Sequence, residues 1–578
     1  MSNLSSIIKS IQDIMRQDSG VDGDAQRLSQ LTWLLFLKVF DALEEELEFT
    51  QDDYQSPIPE PLRWRNWAAD AEGMTGDALL DFVDNQLIPT LGNLPGSIEQ
   101  NPRAFVLRSV FDDTYNYMKS GHLLRQVINK LAVINFNRQA ERHQFNDLYE
   151  KLLKDLQAAG NAGEFYTPRA VTQFMTDMLN PQLGETVMDP ATGTGGFLVC
   201  AIEHLRQQAQ TPQQQALLQT AVRGVEKKPL PHSLCVTNLM LHGIEVPSQI
   251  KNDNTLSRPL RDYGKADQVD IILTNPPFGG TEEPGIEDGF PADLRSRETA
   301  DLFMILIMKL LKDGGRAAVV LPDGFLFGEG SKSRIKEKLL TECNLHTIVR
   351  LPNGVFNPYT GIKTNLLFFT KGQPTQHVWY YEHRYPTGVK NYNKTKPIRI
   401  EEFEAEKAWW GSAADGYASR EENERAWKVD YAEKIADAKE RATPHWDEAK
   451  AQKSLSVRLR ADASEIKLQL DEMKVNGEEI TEIFESLKEQ YQSLFEASRS
   501  ASQASNIAQQ AGDAIYWPVF NLDQKNPHVG EQISHDPDAL LADYARLQTE
   551  AQALRDELKH ILAQSLGAEM MVKMATDA

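Results

Sequence analysis

The segment of this sequence best suited to chemistry places an amide, two prolines and an aromatic ring in a row: Asn275, Pro276, Pro277 and Phe278. An exocyclic amine on a nucleobase is a poor nucleophile because its lone pair is delocalised into the ring. The side-chain oxygen of Asn275 and the main-chain oxygen of Pro276 can each accept one N–H and free that lone pair, and proline holds its carbonyl rigidly. Phe278 can stack on a base swung out of the helix. The segment therefore predicts modification of an amino nitrogen on a flipped nucleobase.

A plain turn is the alternative interpretation of this segment, because Asn-Pro is a turn-forming pair. A turn gives no reason for a large exposed ring between proline and Gly279-Gly280. The chemical interpretation is therefore favoured, and Phe278 is expected to be exposed.

A glycine-rich segment predicts a second part of the site. Its candidate cofactor-binding residues are Asp189, Gly193, Thr194, Gly195 and Gly196. Glycine lets the backbone approach a ligand closely, and the start of the following helix offers free N–H groups. A nicotinamide-binding loop needs glycine where Leu198 stands, so that fingerprint is broken. A tight turn without a ligand is the alternative.

Two acidic residues end the next two predicted strands. Glu226 stands where an acid can accept both hydroxyls of a ribose. Asp253 stands where it can accept a hydrogen bond from the exocyclic amine of a cofactor adenine. An exposed glutamate without a ligand, and an Asp-Asn turn, are the respective alternatives.

Between about residues 160 and 372, short β-branched runs alternate with helical runs. Strands are predicted at Thr186–Asp189, Ala221–Glu226, Ile250–Asp253, Val269–Thr274, Arg316–Leu321, His346–Leu351 and Asn365–Thr370. The alternation predicts a parallel α/β sheet with helices on both faces. Such sheets bind ligands at the carboxyl ends of their strands, where all the candidate residues above lie.

Three regions are predicted along the 578 residues: a helical N-terminal domain (1–155), a catalytic domain (156–395) and a helical C-terminal region (396–578). The last region contains two apolar seams with heptad spacing. The longer seam comprises Leu540, Tyr544, Leu547, Ala551, Leu554, Leu558 and Ile561, and the shorter comprises Ile480, Phe484, Leu487, Tyr491 and Leu494. Either the two seams pair with each other, or one or both dock on the helices of a partner.

Composition excludes several classes of protein. With 61 Lys+Arg against 83 Asp+Glu, the formal charge of −22 rules out a uniformly basic nucleic-acid coat. Three well-separated cysteines fit a reducing compartment, and no stretch suits a signal peptide or a membrane span. A soluble, cytoplasmic protein is expected. No HExxH motif or Cys/His cluster suggests a metal site.

Taken together, these segments resemble the amino-methyltransferases that modify DNA with S-adenosylmethionine, and more narrowly the modification subunit of type I restriction–modification systems. Residues 275–278 resemble the catalytic tetrapeptide in its adenine-N6 form, and residues 189–197 resemble the methionine-binding loop. An additional cofactor motif of that family is similar to the segment that follows Gly163: Glu164, Phe165, Tyr166, Thr167, Pro168 and Arg169. Further similarity lies at residues 408–411, 422–427 and 521–527.

The resemblance implies a Rossmann-like methyltransferase sheet, flanked by an N-terminal helical domain and a C-terminal helical or coiled-coil region. It also implies site-specific methylation of adenine N6 in DNA, with S-adenosylmethionine as the cofactor. The implied assembly joins two modification subunits to one specificity subunit that reads the DNA, and adds a nuclease subunit for restriction.

Several alternatives stay open. Methylation of cytosine N4 or of a protein glutamine uses a related Pro-Pro loop, whereas cytosine carbon-5 chemistry needs a cysteine beside such a loop. A non-catalytic scaffold is a different class, and oxidoreduction is the weakest. The acidic stretch Glu282–Asp288 is expected either to form a lid or to face solvent. A basic run after it (Lys332, Arg334, Lys336, Lys338) is expected to be a solvated helix face.

Overall fold

The computed structural model describes residues 2–134, 136, 149, 166–357, 360–393, 396–477, 482–528 and 537–576. The chain divides into two compact units, Met1–Lys525 and Asn526–Ala578. Of the predicted cofactor motif, Glu164 and Phe165 lie outside the described residues.

The N-terminal region is helical, as predicted. Its helices are α1 (Ser2–Met15), α2 (Asp24–Thr50), α3 (Trp64–Trp67), α4 (Gly76–Phe82), α5 (Ile88–Gly92), α6 (Pro102–Phe111) and α7 (Gly121–Ala132). Every side chain from residue 31 to 40 of α2 is buried, so this helix forms the centre of the region. The side chains of Asn101 and Ser120 accept main-chain N–H groups at the starts of α6 and α7, which fixes where those helices begin.

A nine-stranded sheet forms the middle of the chain, in the order β3-β2-β1-β4-β5-β7-β6-β8-β9. Its strands are β1 (Val187–Asp189), β2 (Val222–Glu226), β3 (Ile250–Asn252), β4 (Val269–Thr274), β5 (Leu311–Pro322), β6 (Cys343–Arg350), β7 (Thr364–Lys371), β8 (His377–Glu382) and β9 (Ala426–Asp430). The seven predicted strands are all present. The expected methyltransferase-type sheet is confirmed.

The expectation of a fully parallel sheet is wrong. Strand β7 pairs antiparallel with both β5 and β6, and β9 pairs antiparallel with β8. No α-helix joins β6 to β7 among the described residues between them, so the chain returns beside β6 in the opposite direction. Strand β9 also belongs to the sheet, although it lies beyond residue 395, where the sequence predicts a helical region.

Helices cover both faces of the sheet. They are α8 (Arg169–Leu179), α9 (Gly196–Arg206), α10 (Pro212–Leu218), α11 (Pro229–Leu241), α12 (Thr299–Leu310), α13 (Asp323–Phe327) and α14 (Ser331–Glu342). Alternate residues of β4 enter different cores: Ile271 and Leu273 join the cluster that contains helix α8, while Ile272 joins the one that contains α12. Helix α11 also packs against α2, which fixes the N-terminal region to the sheet domain.

A short helix, α15 (Glu404–Trp409), precedes a long antiparallel hairpin of α16 (Tyr431–Val475) and α17 (Glu482–Tyr516). Trp446 Nε1 donates to Asp513 Oδ1 at 3.0 Å near its base. Farther along, Phe484 packs with Ile466 and Leu470 of α16. The shorter predicted seam therefore packs against α16 within the hairpin. Ile480 lies outside the described residues.

After the hairpin the chain returns to the sheet at residues 521–524. The main-chain N–H of Leu522 donates to Leu326 O at 3.0 Å, and Tyr380 of β8 donates its hydroxyl to Leu522 O at 3.0 Å. Arg350, which ends β6, forms a 2.6 Å ion pair with Asp523. These contacts give the family-like segment 521–527 a structural role as the return connection.

The second unit contains helix α18 (Pro537–Thr576). Along it the apolar side chains of Tyr544, Leu547, Leu554, Leu558 and Ile561 are each more than half exposed. None of the described helices is long and apolar enough to cross a membrane.

Candidate active site

The strand order brings the predicted site together. Strand β1 lies between β2 and β4 and is parallel to both, with Val187 opposite Val222 on one side and Ile271 on the other. The loops that follow the three strands therefore leave the same edge of the sheet. These loops carry the glycine-rich segment, Glu226 and Asn275.

Positive φ angles explain the glycines of the first loop. Gly193 and Gly195 have φ of 52° and 81°, a region that residues with a Cβ rarely occupy. A Cβ at Gly195 would also lie 2.7 Å from Cys235 Sγ, so this turn packs directly against α11. Gly196 then begins α9, and Thr194 is buried with its carbonyl accepting from the Asn238 amide. The loop is thus built as a tight strand-to-helix turn with its helix N-terminus at the site.

Glu226 is buried, with 7% of its surface exposed. Its Oε2 accepts the main-chain N–H of Gly193 at 2.9 Å, and its Oε1 accepts that of Lys228 at 2.9 Å. Burial raises its pKa, against the lowering effect of these two N–H groups. Each oxygen keeps a further acceptor position. Its protein partners therefore fix the orientation of the carboxylate and leave it able to accept further hydrogen bonds.

Asp189 ends β1 with almost no exposed surface. Burial raises its pKa to about 7, although the Thr274 hydroxyl and the Ala191 N–H act to lower it. Ala191 N–H donates to Asp189 Oδ1 at 3.0 Å. The Asp189 carboxyl therefore stabilises the turn that follows β1.

Asp253 has the opposite environment, because it is exposed at the end of β3. Its main-chain N–H donates to Glu226 O at 3.0 Å, and its Oδ1 accepts the N–H of Asn254 at 2.7 Å. The first contact places the two acidic residues on adjacent loops at the same edge of the sheet.

The segment before α8 meets the catalytic loop. Asn275 Nδ2 donates to Thr167 Oγ1 at 3.1 Å, across 108 residues of sequence. Tyr166 is buried, and Pro168 is the N-cap of α8. Arg169 instead turns to α9, where it donates to Gly196 O at 3.1 Å and pairs with Glu203 at 2.8 Å.

The amide of Asn275 is oriented with its oxygen unused. While Nδ2 is held by Thr167, the buried Oδ1 accepts no hydrogen bond from any residue that the structure describes. A buried acceptor without a donor is costly, and such atoms concentrate at binding sites. Next to it, Pro276 is buried and Pro277 is exposed.

Phe278 is not the exposed ring that the sequence suggests, since only 9% of its surface is exposed. It lies edge-to-face with Phe356, with ring centroids 6.5 Å apart and planes at 89°. Phe356 follows β6 and is itself buried, and sequence reasoning missed it. Its only sequence signal is an aromatic residue in a loop after a predicted strand.

The first residue of the acidic stretch after the catalytic loop does not face solvent. The side chain of Glu282 is 11% exposed and is contacted by Lys227, Asn254 and Thr299, whereas that of Glu283 is 74% exposed. Burial lowers the pKa of Lys227, but the carboxylates of Glu283 and Glu282 outweigh it and leave that pKa raised.

The basic run in α14 is not a uniformly solvated face. Lys336 is fully buried and donates to the carbonyl oxygens of Leu326 and Gly328, and Lys332 pairs with Glu298 and Asp301 at 2.5 Å. Lys336 therefore stabilises the turn after α13, and Lys332 holds α14 to the start of α12.

Other chemistries find no support in the described part of the chain. It contains no group of three or more His, Cys, Asp or Glu that would suit a metal ion. Cys200, Cys235 and Cys343 are all buried, and burial raises the pKa of the Cys235 thiol, which disfavours a nucleophilic thiolate.

Comparison with known proteins gives the same picture. A family described as N-6 DNA methylase matches residues 140–454, and one described as HsdM N-terminal domain matches residues 4–131. The type I restriction enzyme EcoEI methylase subunit of Escherichia coli is 55% identical over 98% of each chain.

Two solved structures are also similar. The modification subunit of a putative type I restriction enzyme from Vibrio vulnificus YJ016 is 46% identical, with a TM-score of 0.67 over 75% of this chain and 93% of that one. A chain from a study of complex assembly and conformational transition in the type I R-M system is 33% identical, with a TM-score of 0.69 over 98% and 99%. Because the N-6 DNA methylase family matches more than half of the chain and the EcoEI relative is similar over nearly its whole length, this chain belongs to the N-6 DNA methylases, as a methylase subunit of a type I restriction–modification system.

Proposed function

We propose that Asn275, Pro276, Pro277 and Phe278 form the catalytic loop that methylates adenine N6. The observation that carries this assignment is the orientation of Asn275 Oδ1, which has no hydrogen-bond partner among the described residues. Thr167 fixes the amide, so the oxygen is available to accept one N–H of a target amine. The Pro276 carbonyl is assigned to the second N–H.

The residues at the neighbouring strand ends suit S-adenosylmethionine, which supplies a sulfonium methyl group when bound. The glycine-rich turn, residues 193–196, offers close backbone approach and a helix N-terminus. Glu226 is an oriented buried acid with spare acceptor capacity for ribose hydroxyls, and Asp253 is an exposed acid for an adenine amine. Asp189, Tyr166, Thr167 and Pro168 shape the walls, and Arg169 holds α8 to α9.

In the proposed reaction, the two carbonyl oxygens accept the N–H groups of the target amine and turn its lone pair out of conjugation with the ring. That lone pair would attack the methyl group of the bound cofactor, with the C–S bond breaking as the N–C bond forms. The extra N6 proton departs afterwards to solvent, so a strong general base is not required. Phe278, whose plane is fixed by Phe356, is assigned to contact the face of the flipped adenine.

We further infer that the chain works with a specificity subunit that selects the DNA site, in a ratio of two to one, and with a nuclease subunit for restriction. The similar chain comes from work on assembly of such a system. The exposed apolar seam of α18 offers a surface for the helices of a partner. The enzyme is proposed to act on chromosomal DNA in the cytoplasm.

The test of the site is Asn275→Ala in the complex with its specificity subunit. Removing the amide should lower methylation of adenine by about a hundredfold to a thousandfold, because one such oriented group contributes on the order of 3–4 kcal/mol to catalysis. Methyl transfer from labelled cofactor is measured, and mass spectrometry of the DNA identifies the modified base.

Cofactor affinity, measured by calorimetry, should stay within about threefold of the parent, since the Asn275 oxygen is assigned to the target. Asn344→Ala, at a half-buried position near the start of β6 and so at the opposite edge of the sheet, is the control for a simple loss of an amide. Substantial methylation by Asn275→Ala would remove the catalytic assignment.

A further inference from the structure

The loop that continues from the catalytic tetrapeptide is closed at its base. Thr281 and Glu298 form an antiparallel bridge, and the main-chain N–H of Glu282 donates to Arg297 O at 3.3 Å. The Thr299 N–H also donates to Gly280 O at 3.1 Å. This closure fixes the direction in which the Glu282 side chain leaves the backbone.

Three side chains from three elements lie within hydrogen-bond distance of the Glu282 carboxylate. Lys227 Nζ lies 3.3 Å and Asn254 Nδ2 3.2 Å from its Oε2. Thr299 Oγ1 lies 3.3 Å from its Oε1 and shares its one hydrogen with Gly280 O at 3.1 Å. Lys227 follows β2, Asn254 follows β3, and Thr299 begins α12. One carboxylate therefore joins the catalytic loop to both loops of the cofactor side.

Sequence position gives these contacts their significance. Lys227 is bonded directly to Glu226, and Asn254 is bonded directly to Asp253, the two acids assigned to the cofactor. The Asn254 amide has a fixed orientation, because its Oδ1 accepts the Leu256 N–H at 3.0 Å. Its N–H2 group is thereby directed at Glu282.

The neighbouring Glu283 shows what an ordinary surface pair looks like here. Its Oε1 lies 3.2 Å from the same Lys227, with 74% of the Glu283 side chain exposed. Exposed pairs of this kind contribute little. Glu282 differs because it is mostly buried and because two neutral donors, from Asn254 and Thr299, also converge on it.

We propose that Glu282 is a positioning residue that couples the cofactor-side loops, through Asn254 and Lys227, to the geometry of the catalytic loop. This inference rests on the proposed site assignment. It predicts that damage to the Glu282–Asn254 contact slows methyl transfer even when the cofactor is saturating, although Asn254 does not belong to the catalytic loop.

The test exchanges the donor and the acceptor in the contact between Asn254 and Glu282. In Asn254→Asp the oxygen that accepts from Leu256 is retained, but a carboxylate oxygen replaces the N–H2 that faces Glu282. The single-turnover rate at saturating S-adenosylmethionine should fall by about tenfold in the assembled complex. Adding Glu282→Gln restores one donor and one acceptor across the contact, and the double variant should return to within about threefold of the parent.

If Asn254 only stabilises the loop after β3, the measured rates and affinities follow a different pattern. Cofactor affinity would then fall, the rate at saturating cofactor would be unchanged, and Glu282→Gln would restore nothing. Either an unchanged saturating rate in Asn254→Asp or a double variant no faster than Asn254→Asp overturns the proposal.

A second pair of variants keeps the test valid if Asn254→Asp folds poorly. Glu282→Ala removes the acceptor for all three donors and should slow single-turnover methylation about tenfold. Glu283→Ala removes the same charge beside the same lysine and should match the parent. Equal effects of both alanine variants overturn the proposal. The Asn275→Ala result is read separately: it decides the site assignment, whereas the exchange decides the role of Glu282.

Discussion

At the scale of single residues, the site depends on polar groups whose orientation is fixed by hydrogen bonds to neighbouring residues. Thr167 holds the N–H2 group of Asn275, while its Oδ1 accepts no hydrogen bond within the part of the chain that the structure describes. Glu226 is held by two main-chain N–H groups and retains acceptor positions. The types and strand-end positions of these residues were readable in the sequence. Their partners were not, because the Thr167 contact spans a sequence separation that no local pattern reports.

Asp189 gives a pH-dependent prediction at the same scale. Its pKa of about 7 in the folded chain lies above its ordinary value of 3.8. As pH rises between these values, the unfolded chain loses this proton while the folded chain keeps it, so stability falls. Asp189→Asn removes that loss. Its free energy of unfolding relative to the parent should therefore rise by about 2 kcal/mol between about pH 5.5 and pH 8.

Urea unfolding at the two pH values measures this difference. If the free energy of unfolding of Asp189→Asn differs from that of the parent by the same amount at both pH values, ionisation of the buried carboxyl does not lower the stability of the folded chain.

At the scale of elements, strand positions followed well from the sequence, because buried strands are short β-branched runs between turn residues. The direction of β7 could not be predicted from its own residues, because the residue pattern of a strand is the same in either direction. The only sequence signal was the lack of a crossover helix between β6 and β7. The burial of Phe278 was also missed, because its packing partner Phe356 lies 78 residues later.

Close packing between β2 and the glycine-rich loop leads to the next prediction. A Cβ at Gly224 would overlap the Thr192 Cγ2 methyl group. Gly224→Ala should displace the loop and weaken S-adenosylmethionine binding by about tenfold. Thr192→Ser removes that methyl group, so Thr192→Ser/Gly224→Ala should recover most of the affinity in calorimetry.

Gly264→Ala is the matched control, because a Cβ there meets no atom within 4 Å. If Gly224→Ala and the parent bind S-adenosylmethionine equally well, the glycine-rich loop can move aside without a loss of affinity. A double variant as weak as Gly224→Ala would mean that another contact, rather than the methyl group, sets the loop position.

At the scale of the whole molecule, the polar hairpin and the C-terminal helix have different surroundings. The hairpin fills its own seam with Ile466, Leu470 and Phe484. On α18 the large side chains of the seam whose surroundings the structure describes, from Tyr544 to Ile561, are more than half exposed. The sequence predicted both seams from heptad spacing, but spacing does not say whether an apolar stripe is covered by its own chain or by another.

The exposed seam gives a prediction about assembly. Leu547→Asp and Leu554→Asp should each weaken association with the specificity subunit by about 30-fold or more, because a charge buried at an interface without a partner costs a few kcal/mol. Size-exclusion chromatography and calorimetry with the purified specificity subunit measure this. Cofactor binding by the isolated chain should not change.

Thr549→Asp places the same charge on the opposite side of α18, where it should have little effect. If Leu547→Asp and Leu554→Asp also associate like the parent, the partner docks elsewhere.

The antiparallel insertion of β7 has a consequence for biosynthesis. Strand β7 lies between β5 and β6 in space although it follows both in the chain. While the ribosome has released β5 and β6 but not residues 364–371, the nascent polypeptide exposes an open strand edge on the side of β5 that β7 later fills. Open edges of this kind invite mispairing with other chains. The interval between translation of β5 and of β7 is therefore when chaperone protection of this protein matters most.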